Sequence, residues 1–253
     1  MTEPAIAING LTRRFGPLTA VDGLSLAVRT GEVVGFLGPN GAGKTTTLRM
    51  LTGGLAPDAG TARILGIDVH AEPLAARRRF GYLPEGAPLY PDMTPGALLA
   101  FIAALHGLRR RRRAGAVAEA ARATRIESVL DRPIDTLSKG FRRRVALAAA
   151  LIHGPEVLIL DEPTDGLDPN QKHEVRALIR ALAPRTAILL STHALDEVEA
   201  VCSRAVVIAG GRIVADDTPA ALAAAAPVDA PARDGEPRGL EAFFRAATAG
   251  RAA

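Results

Sequence analysis

Cysteine is nearly absent from this sequence, because Cys202 is the only one among 253 residues. A single cysteine excludes an intrachain disulfide and favours a reducing compartment. With no obvious histidine partner, we expect Cys202 to be a small buried apolar residue rather than a nucleophile. Long apolar runs are also missing, since stretches such as 145–152 are far shorter than the roughly 20 residues that span a bilayer. The first residues hold no apolar run either, so we expect no signal peptide.

Lysine is scarce too, and arginine supplies nearly all of the positive charge. Lys44, Lys139 and Lys172 are the only lysines, and the formal net charge is +4. A basic balance permits contact with nucleic acid or an anionic membrane but establishes neither. The densest cluster is the run of arginines at 109–113, which we interpret as a solvated turn between helices. Binding of lipid headgroups or nucleic acid is the alternative interpretation.

The apolar pattern predicts an α/β fold with a mostly parallel sheet, because short branched runs alternate with helical segments. Buried strands are expected at 33–37, 157–160, 187–190 and 205–208, and helices at 44–51, 142–152, 170–182 and 195–201. Two short strands at 6–8 and 24–28, around a turn at 22–23, predict an N-terminal antiparallel β subdomain. A further strand ending in a turn is expected at 64–66.

Residues from about 86 to 150 change character and predict an inserted helical lobe. They are rich in alanine and arginine, and Leu98, Leu99, Ile102 and Leu105 fall on one helical face. We expect residues 1–215 to form one domain. The remainder, 216–253, is expected to be a loose linker through Pro237 followed by a short amphipathic helix at 240–247.

Residues 38–45 (GPNGAGKT) fit the phosphate-loop pattern G-x-x-x-x-G-K-[ST] at every fixed position, between a predicted strand and a predicted helix. Glycines let the backbone N–H groups curl around one anion, and the helix presents its positive end to the phosphates. Lys44 can reach the β- and γ-phosphates, while the Thr45 hydroxyl can ligate Mg²⁺. The predicted ATP contacts in this region are Gly38, Pro39, Asn40, Gly41, Ala42, Gly43, Lys44, Thr45 and Thr46.

Two carboxylates follow the apolar run 157–160, at the end of a strand where ligands sit in open α/β sheets. We expect Asp161 to hold Mg²⁺, through water, and Glu162 to orient or deprotonate the attacking water. Together with the phosphate loop, these residues predict a P-loop NTPase.

Three shorter features are weaker on their own. Ser138, in 137–141 (LSKGF), is placed to cap the following helix, and a helix N-terminus can bind an anion, although capping without a ligand is more common. Residues 165–168 (DGLD) follow the two carboxylates. His193 ends a predicted core strand, where it can contact a γ-phosphate or serve a structural role.

In this order and spacing the motifs resemble the ABC ATPase family, over about residues 5–215. The resemblance implies that 38–45 is the Walker A motif, 157–162 Walker B with catalytic Glu162, 137–141 the signature motif and 165–168 the D-loop. It implies that His193 is the switch histidine and that Phe15 stacks on adenine. It further implies two ATP molecules held between two head-to-tail subunits, so that Ser138 and Gly140 of one subunit meet the γ-phosphate bound by the other.

The sequence departs from the family pattern at two places. The usual signature is Leu-Ser-Gly-Gly-Gln, and Lys139 and Phe141 replace a glycine and the glutamine here. Glu85 stands where most members have glutamine. A carboxylate can still accept a Mg²⁺-bound water, so we keep Glu85 as a metal ligand beside Thr45 and Asp161.

Residues 82–85 and 88–94 resemble the exporter branch, which includes gliding-motility and drug or polysaccharide export ATPases. The resemblance implies a cytoplasmic subunit, peripheral on the inner face of the cell membrane, that drives a separate permease as a homodimer or beside a similar subunit. Leu89, Tyr90 and Met93 are expected to meet a helix of that permease, or else to pack the lobe. We expect no nucleic-acid partner.

Two other functions remain as alternatives. A soluble ABC protein acting on ribosomes or DNA usually carries two cassettes, a long coiled coil or zinc-binding insertions, whereas this chain has one phosphate loop and one cysteine. A binding module with a dead site is disfavoured because Lys44, Thr45, Asp161, Glu162 and His193 are all present.

Overall fold

A computed structural model describes residues 3–86, 88–226 and 239–249. The strands are β1 (Ile6–Phe15), β2 (Leu18–Val28), β3 (Val33–Leu37), β4 (Ala59–Ile64), β5 (Ile67–Asp68), β6 (Phe80–Leu83), β7 (Val157–Asp161), β8 (Ala187–Thr192), β9 (Arg204–Ala209) and β10 (Arg212–Asp217). The helices are α1 (Lys44–Leu51), α2 (Pro73–Arg77), α3 (Pro95–Leu105), α4 (Arg110–Thr124), α5 (Lys139–Leu151), α6 (Pro169–Leu182), α7 (Leu195–Val201), α8 (Pro219–Ala224) and α9 (Leu240–Thr248). None of the helices in these ranges is long and apolar enough to cross a membrane.

Two sheets confirm the predicted α/β fold class. The first is antiparallel with the order β2-β1-β4-β5, and the second has the order β10-β9-β3-β8-β7-β6. In the second sheet the neighbouring strands β9, β3, β8, β7 and β6 pair in parallel, and the edge strand β10 pairs antiparallel with β9. Strands β3, β7 and β8 are buried at every position, which explains their continuous apolar runs.

The predicted turn at 22–23 is wrong. The chain reverses instead at Gly16, whose φ of 57° is left-handed, and β2 continues through Asp22. The Asp22 N–H donates to the Gly211 carbonyl at 3.0 Å, and its carboxylate accepts from Arg212. The pairing of β1 with β2 shifts register near Gly10 and Gly23. Gly23, which indicated a turn in the sequence, therefore lies inside β2.

The parallel pairing brings the predicted site residues to one edge of the second sheet. Leu37 pairs with Thr192, Asp161 with Ser191, and Leu83 with Leu160. The carboxyl ends of β3, β6, β7 and β8 therefore lie side by side, and the segments that follow these strands meet there. Strand β6 and helix α2 were not predicted from the sequence, although β6 is what carries the chain to Glu85.

Helices α3, α4 and α5 occupy the region where the lobe was predicted, and they enclose an apolar cluster of their own. Thr94 caps α3 by accepting the Ala97 N–H at 3.3 Å, with Pro95 at the first helical position. Leu98 and Leu99 are buried in the lobe. Leu105 was predicted on the same face, but it is 68% exposed, because it lies in the last turn of α3, beyond the packing of α4 and α5.

The predicted loose linker at 216–237 is wrong in its first part. Strand β10 extends to Asp217, and Thr218 then caps α8 by accepting the Ala221 N–H at 3.1 Å. Leu222 of α8 is buried together with Leu240, at the start of α9, against β9. The expected terminal helix is confirmed as α9, whereas residues 227–238 lie outside the described residues.

Candidate nucleotide site

The loop between β3 and α1 has the backbone that phosphate binding requires. Gly41 and Gly43 have φ values of 81° and 102°, which L side chains rarely adopt. Gly43 is the N-cap of α1 and leaves the first N–H groups of the helix without a side-chain cap. A Cβ on Gly38 would lie 2.5 Å from the Ile208 carbonyl oxygen, so close packing against β9 also requires a glycine there.

Lys44 closes over this loop. Its buried Nζ donates to the carbonyl oxygens of Gly38 at 2.5 Å and Pro39 at 3.1 Å. Burial lowers the pKa of Lys44, while the charges of Glu162, Asp161 and Glu85 oppose that shift. The charges of three carboxylates thus act on the ammonium group, and its two carbonyl contacts can be exchanged for phosphate oxygens.

Asp161, the last residue of β7, has the features of a cation ligand. It is 2% exposed, and its Oδ2 atom is buried without a hydrogen-bond partner in the described part of the chain. Burial raises the pKa of Asp161, and the neighbouring charges of Glu85 and Glu162 add to the rise, against the Ser191 hydroxyl and Lys44. A buried carboxylate that lacks a partner is costly unless a cation compensates it, so this site fits Mg²⁺.

Glu162 is held in an unusual conformation beside Asp161. Its φ of 50° is left-handed, a strained state that costs on the order of 1–3 kcal/mol and is typical of functional sites. Its Oε1 lies 2.8 Å from His193 Nδ1, and its Oε2 accepts from the Thr192 hydroxyl at 3.3 Å. The 65% exposed His193 side chain and the carboxylate therefore form one unit at the sheet edge.

The other predicted metal and ATP contacts surround this centre. Thr45 and Thr46 lie in the first turn of α1, and the Thr45 side chain is exposed. Glu85 is exposed two residues after β6, and its charge acts on both Lys44 and Asp161. The described residues contain no cluster of three or more His, Cys, Asp or Glu side chains suited to a metal. Mg²⁺ at nucleotide sites is commonly held by one or two carboxylates together with phosphates and water.

Phe15 lies apart from these groups, at the end of β1. Its side chain is 46% exposed, and the Arg13 guanidinium lies 5.0 Å from the centroid of its ring. An exposed aromatic face next to a cation suits stacking on a nucleotide base.

The segment 137–141 contacts a different part of its own chain. Ser138 caps α5, as predicted, by accepting the Phe141 N–H at 3.3 Å. Lys139 Nζ lies 2.9 Å from Asp165 Oδ2, which lowers the pKa of Asp165, and Gly140 packs against Gln171. In the described residues no hydrogen bond or ion pair joins 138–141 to the loop 38–46. Ser138 is exposed and thus available to a second molecule, whereas Gly140 is buried against Gln171.

Arg143 is a site residue that the sequence reasoning missed. Arg143 is 5% exposed, and its guanidinium donates to four backbone carbonyls, those of Pro84, Asp161, Glu162 and Pro163. It thereby ties the segment before Glu85 to the strained turn at Glu162. The helical period of α5 could have indicated that Arg143 is buried, because Arg143 lies on the same buried face as Leu147 and Ala150.

Comparisons with known proteins identify relatives across this fold. A family model described as ABC transporter matches residues 21–165. The Nod factor export ATP-binding protein I of Paraburkholderia xenovorans is 44% identical over 225 residues, 88% of this chain and 74% of that protein. A probable multidrug ABC transporter ATP-binding protein of Escherichia coli, YbhF, is 37% identical over 86% of this chain and 38% of its own length. A solved ATP-binding subunit of an ABC transporter superposes with a TM-score of 0.80 at 30% identity, over 86% of this chain and 91% of that one.

Proposed function

Since the chain belongs to the ABC transporter family and is an ATPase, we propose that it hydrolyses ATP in a head-to-tail dimer and thereby drives export through a separate membrane-embedded permease. The observation that carries this proposal is the arrangement around Glu162. An unpartnered buried carboxylate, a strained glutamate bound to histidine and a buried lysine over a glycine loop converge on one edge of the sheet.

Each residue of this edge has a distinct task in the proposed reaction. The loop 38–46 and Lys44 bind the β- and γ-phosphates, and Phe15 stacks on the adenine. Glu162 orients the attacking water and accepts its proton, while His193 keeps the carboxylate in place and reaches toward the γ-phosphate. Thr45 would hold Mg²⁺ through its hydroxyl, and Asp161 and Glu85 would hold the cation directly or through water. When bound, the cation neutralises charge on the phosphate oxygens.

The proposed dimer follows from the incomplete site within one chain. Ser138 and the N–H group of Gly140 lie at the start of α5, where the helix dipole favours an anion. Among the described residues, neither of them is hydrogen-bonded to the phosphate loop of its own chain. A second subunit facing this edge supplies the γ-phosphate, and Lys139 remains anchored to Asp165.

Export and a permease partner are supported by the similar proteins. The relatives described above include a Nod factor export protein and a probable multidrug transporter subunit. These names favour the transporter over the soluble ABC protein acting on ribosomes or DNA. We propose that the chain lies at the inner face of the cell membrane by binding its permease, as a homodimer or beside a similar subunit.

A phosphate-release assay on the purified chain tests the catalytic part. We expect Mg²⁺-dependent ATP hydrolysis, and Lys44→Ala is expected to lose at least about 100-fold because the buried ammonium binds the transferred phosphate. Lys172→Ala, a lysine on α6 outside the site, is the matched control and should retain wild-type turnover. An inactive wild-type chain, or equal loss in both variants, would contradict the assignment.

A cavity of about 300 Å³ between core and lobe supports the proposed permease contact. Its lining includes Tyr82, Leu89, Tyr90, Ile102 and His153. Tyr90 is 60% exposed and meets the Phe101 ring edge-on at 6.4 Å between centroids. Leu89 and Met93, in contrast, pack against the apolar cluster of the lobe, in line with the alternative interpretation of these two residues. We therefore place the contact with the permease at Tyr90.

We expect Tyr90→Ala to leave the ATPase activity of the lone subunit within about twofold but to lower co-purification with the permease about fivefold or more, since aromatic anchors dominate interfaces. Leu18→Ala removes another exposed apolar side chain, which is 52% exposed at the start of β2, and should not affect co-purification. Met93→Ala should lower thermal stability instead, through lost packing. Normal assembly of the Tyr90 variant would place the contact elsewhere.

A further inference from the structure

Exposed apolar side chains concentrate around the cavity between core and lobe. Among the described residues, six large apolar side chains are exposed, and four of them lie on segments that flank this cavity: Leu74, Tyr90, Phe101 and Leu105. Leu74 is 71% exposed on α2 and Leu105 is 68% exposed at the end of α3. Apolar side chains clustered in this way indicate a surface that meets another apolar phase.

Arginines accompany these leucines on both segments. Arg77 and Arg78 follow Leu74 at the end of α2, and the run 109–112 begins three residues after His106. Arg77 and His106 both line the cavity, and Arg78 adds to the effect of burial in lowering the pKa of His106. Both groups of cations therefore begin next to the same cavity. We call Leu74, Arg77, Arg78, Leu105 and residues 109–112 the basic rim.

The arginines of the basic rim have no acidic partners in the described chain. All six are exposed, and none forms an ion pair with a described carboxylate. The interpretation of 109–113 as a turn between helices is wrong, because Arg109 is the N-cap of α4 and residues 110–113 form its first turn, against local preference. Arg109 is an N-cap without a side-chain hydrogen bond, and the first turn holds no acidic residue, although the positive end of the helix dipole disfavours cations there. A solvated turn does not require this arrangement, whereas external anions would relieve it.

We propose that the basic rim rests on the anionic headgroups of the membrane that holds the permease, with its arginines on the phosphates and its two leucines in the interface. Only the identity of that membrane rests on the proposed function. Paired aliphatic and arginine side chains are typical of interfacial membrane segments. Nucleic acid is a poorer fit, because bases are bound by aromatic stacking and the basic rim holds no aromatic side chain, while the nearby Tyr90 and Phe101 rings pack edge-on against each other. The contact would orient the cavity toward the permease.

Co-sedimentation of the purified full chain with vesicles tests this proposal without permease or nucleotide. We expect vesicles of phosphatidylcholine with 30% phosphatidylglycerol to bind at least about 10-fold more chain than phosphatidylcholine alone, and 0.5 M salt to weaken the binding. Changing Arg110, Arg111 and Arg112 to Gln should lower the partition coefficient on the order of 100-fold. The matched control changes Arg63, Arg122 and Arg185, exposed arginines outside the rim, to Gln, and should lower it less than about threefold.

A second variant separates lipid from other anions. Leu74→Ser with Leu105→Ser leaves the charge unchanged and should lower vesicle binding about 10-fold, while binding of a random single-stranded RNA stays as it was. Equal binding to neutral and anionic vesicles, an equal loss in the two arginine triples, or RNA that outcompetes the vesicles would overturn the proposal. Phosphate release and thermal unfolding of each variant report separately on the ATPase activity and the fold. A failure of the proposed function is therefore distinguishable from a failure of the membrane proposal.

Discussion

Phosphate release by Glu162→Gln is expected to fall by 10²-fold or more, while ATP binding is retained. The amide keeps the size of the side chain and can still meet His193 Nδ1 and the Thr192 hydroxyl, which hold the carboxylate in the wild type. It cannot accept a proton from the attacking water, so only the chemical step is lost. The left-handed backbone at Glu162 is enforced by Ser191 and Arg143, so the fold should survive the change.

The matched control for this variant is Glu119→Gln, since Glu119 is exposed on α4 and distant from the site in sequence. Its turnover should equal that of the wild type. Nucleotide affinity, measured by fluorescence of a bound ATP analogue, should stay within a few fold for both variants. If Glu162→Gln hydrolyses ATP at nearly the wild-type rate, another residue is the base.

Arg143→Met is expected to destabilise the chain by about 3 kcal/mol and to lower turnover more than 10-fold. Its guanidinium serves four carbonyls at once, and an unsatisfied buried carbonyl costs about 1–3 kcal/mol. Burial also lowers the pKa of Arg143, with the charge of Asp165 acting against it. The pairing of β6 with β7 ends at Leu83 and Leu160, so without this side chain the hydrogen bonds that join Pro84 to the Glu162 turn are lost, and the placement of the carboxylates at 85, 161 and 162 loosens.

Thermal unfolding and steady-state turnover measure the two effects of Arg143→Met. A loss of 3 kcal/mol corresponds to a midpoint lowered by about 6–12 °C for a chain of this size. Arg143→Lys keeps the charge but reaches fewer carbonyls, and should fall between the wild type and the Met variant. Arg122→Met, on the exposed side of α4, should change neither quantity. A stable Arg143→Met variant with wild-type turnover would show that the carbonyls find other partners.

The sequence predicted where most residues of the candidate site lie in the fold, because the motifs are local. The loop 38–45 lies between a strand and a helix, and Asp161 and Glu162 end a strand that is buried throughout. Parallel strands then bring Lys44, Asp161 and His193 to one edge, which the strand order makes inevitable. The contacts of Ser138 follow equally from capping preference.

Long-range packing determined what the sequence did not reveal. In the sequence Arg143 is one of three consecutive arginines. Its role depends on the folding of distant backbone at Pro84 and Pro163, which brings their carbonyls within hydrogen-bond distance of its guanidinium. The φ of Glu162 depends on its hydrogen bond to Ser191 in the next strand. Leu105 follows the helical period of α3 but extends past its neighbours, and the glycine at 23 is absorbed by a shift in strand pairing.

The mass of Glu162→Gln in solution tests the shared ATP site most directly. Light scattering should report the mass of one chain without nucleotide and twice that mass with Mg·ATP, because in the proposed dimer the unhydrolysed γ-phosphate bridges two subunits. Adding Ser138→Arg to this variant should keep it a monomer with ATP, since in the proposed dimer the bulky cation would block the cap of α5 from the partner's phosphate. A mass that ATP leaves unchanged, or pairing that survives Ser138→Arg, would contradict the head-to-tail dimer.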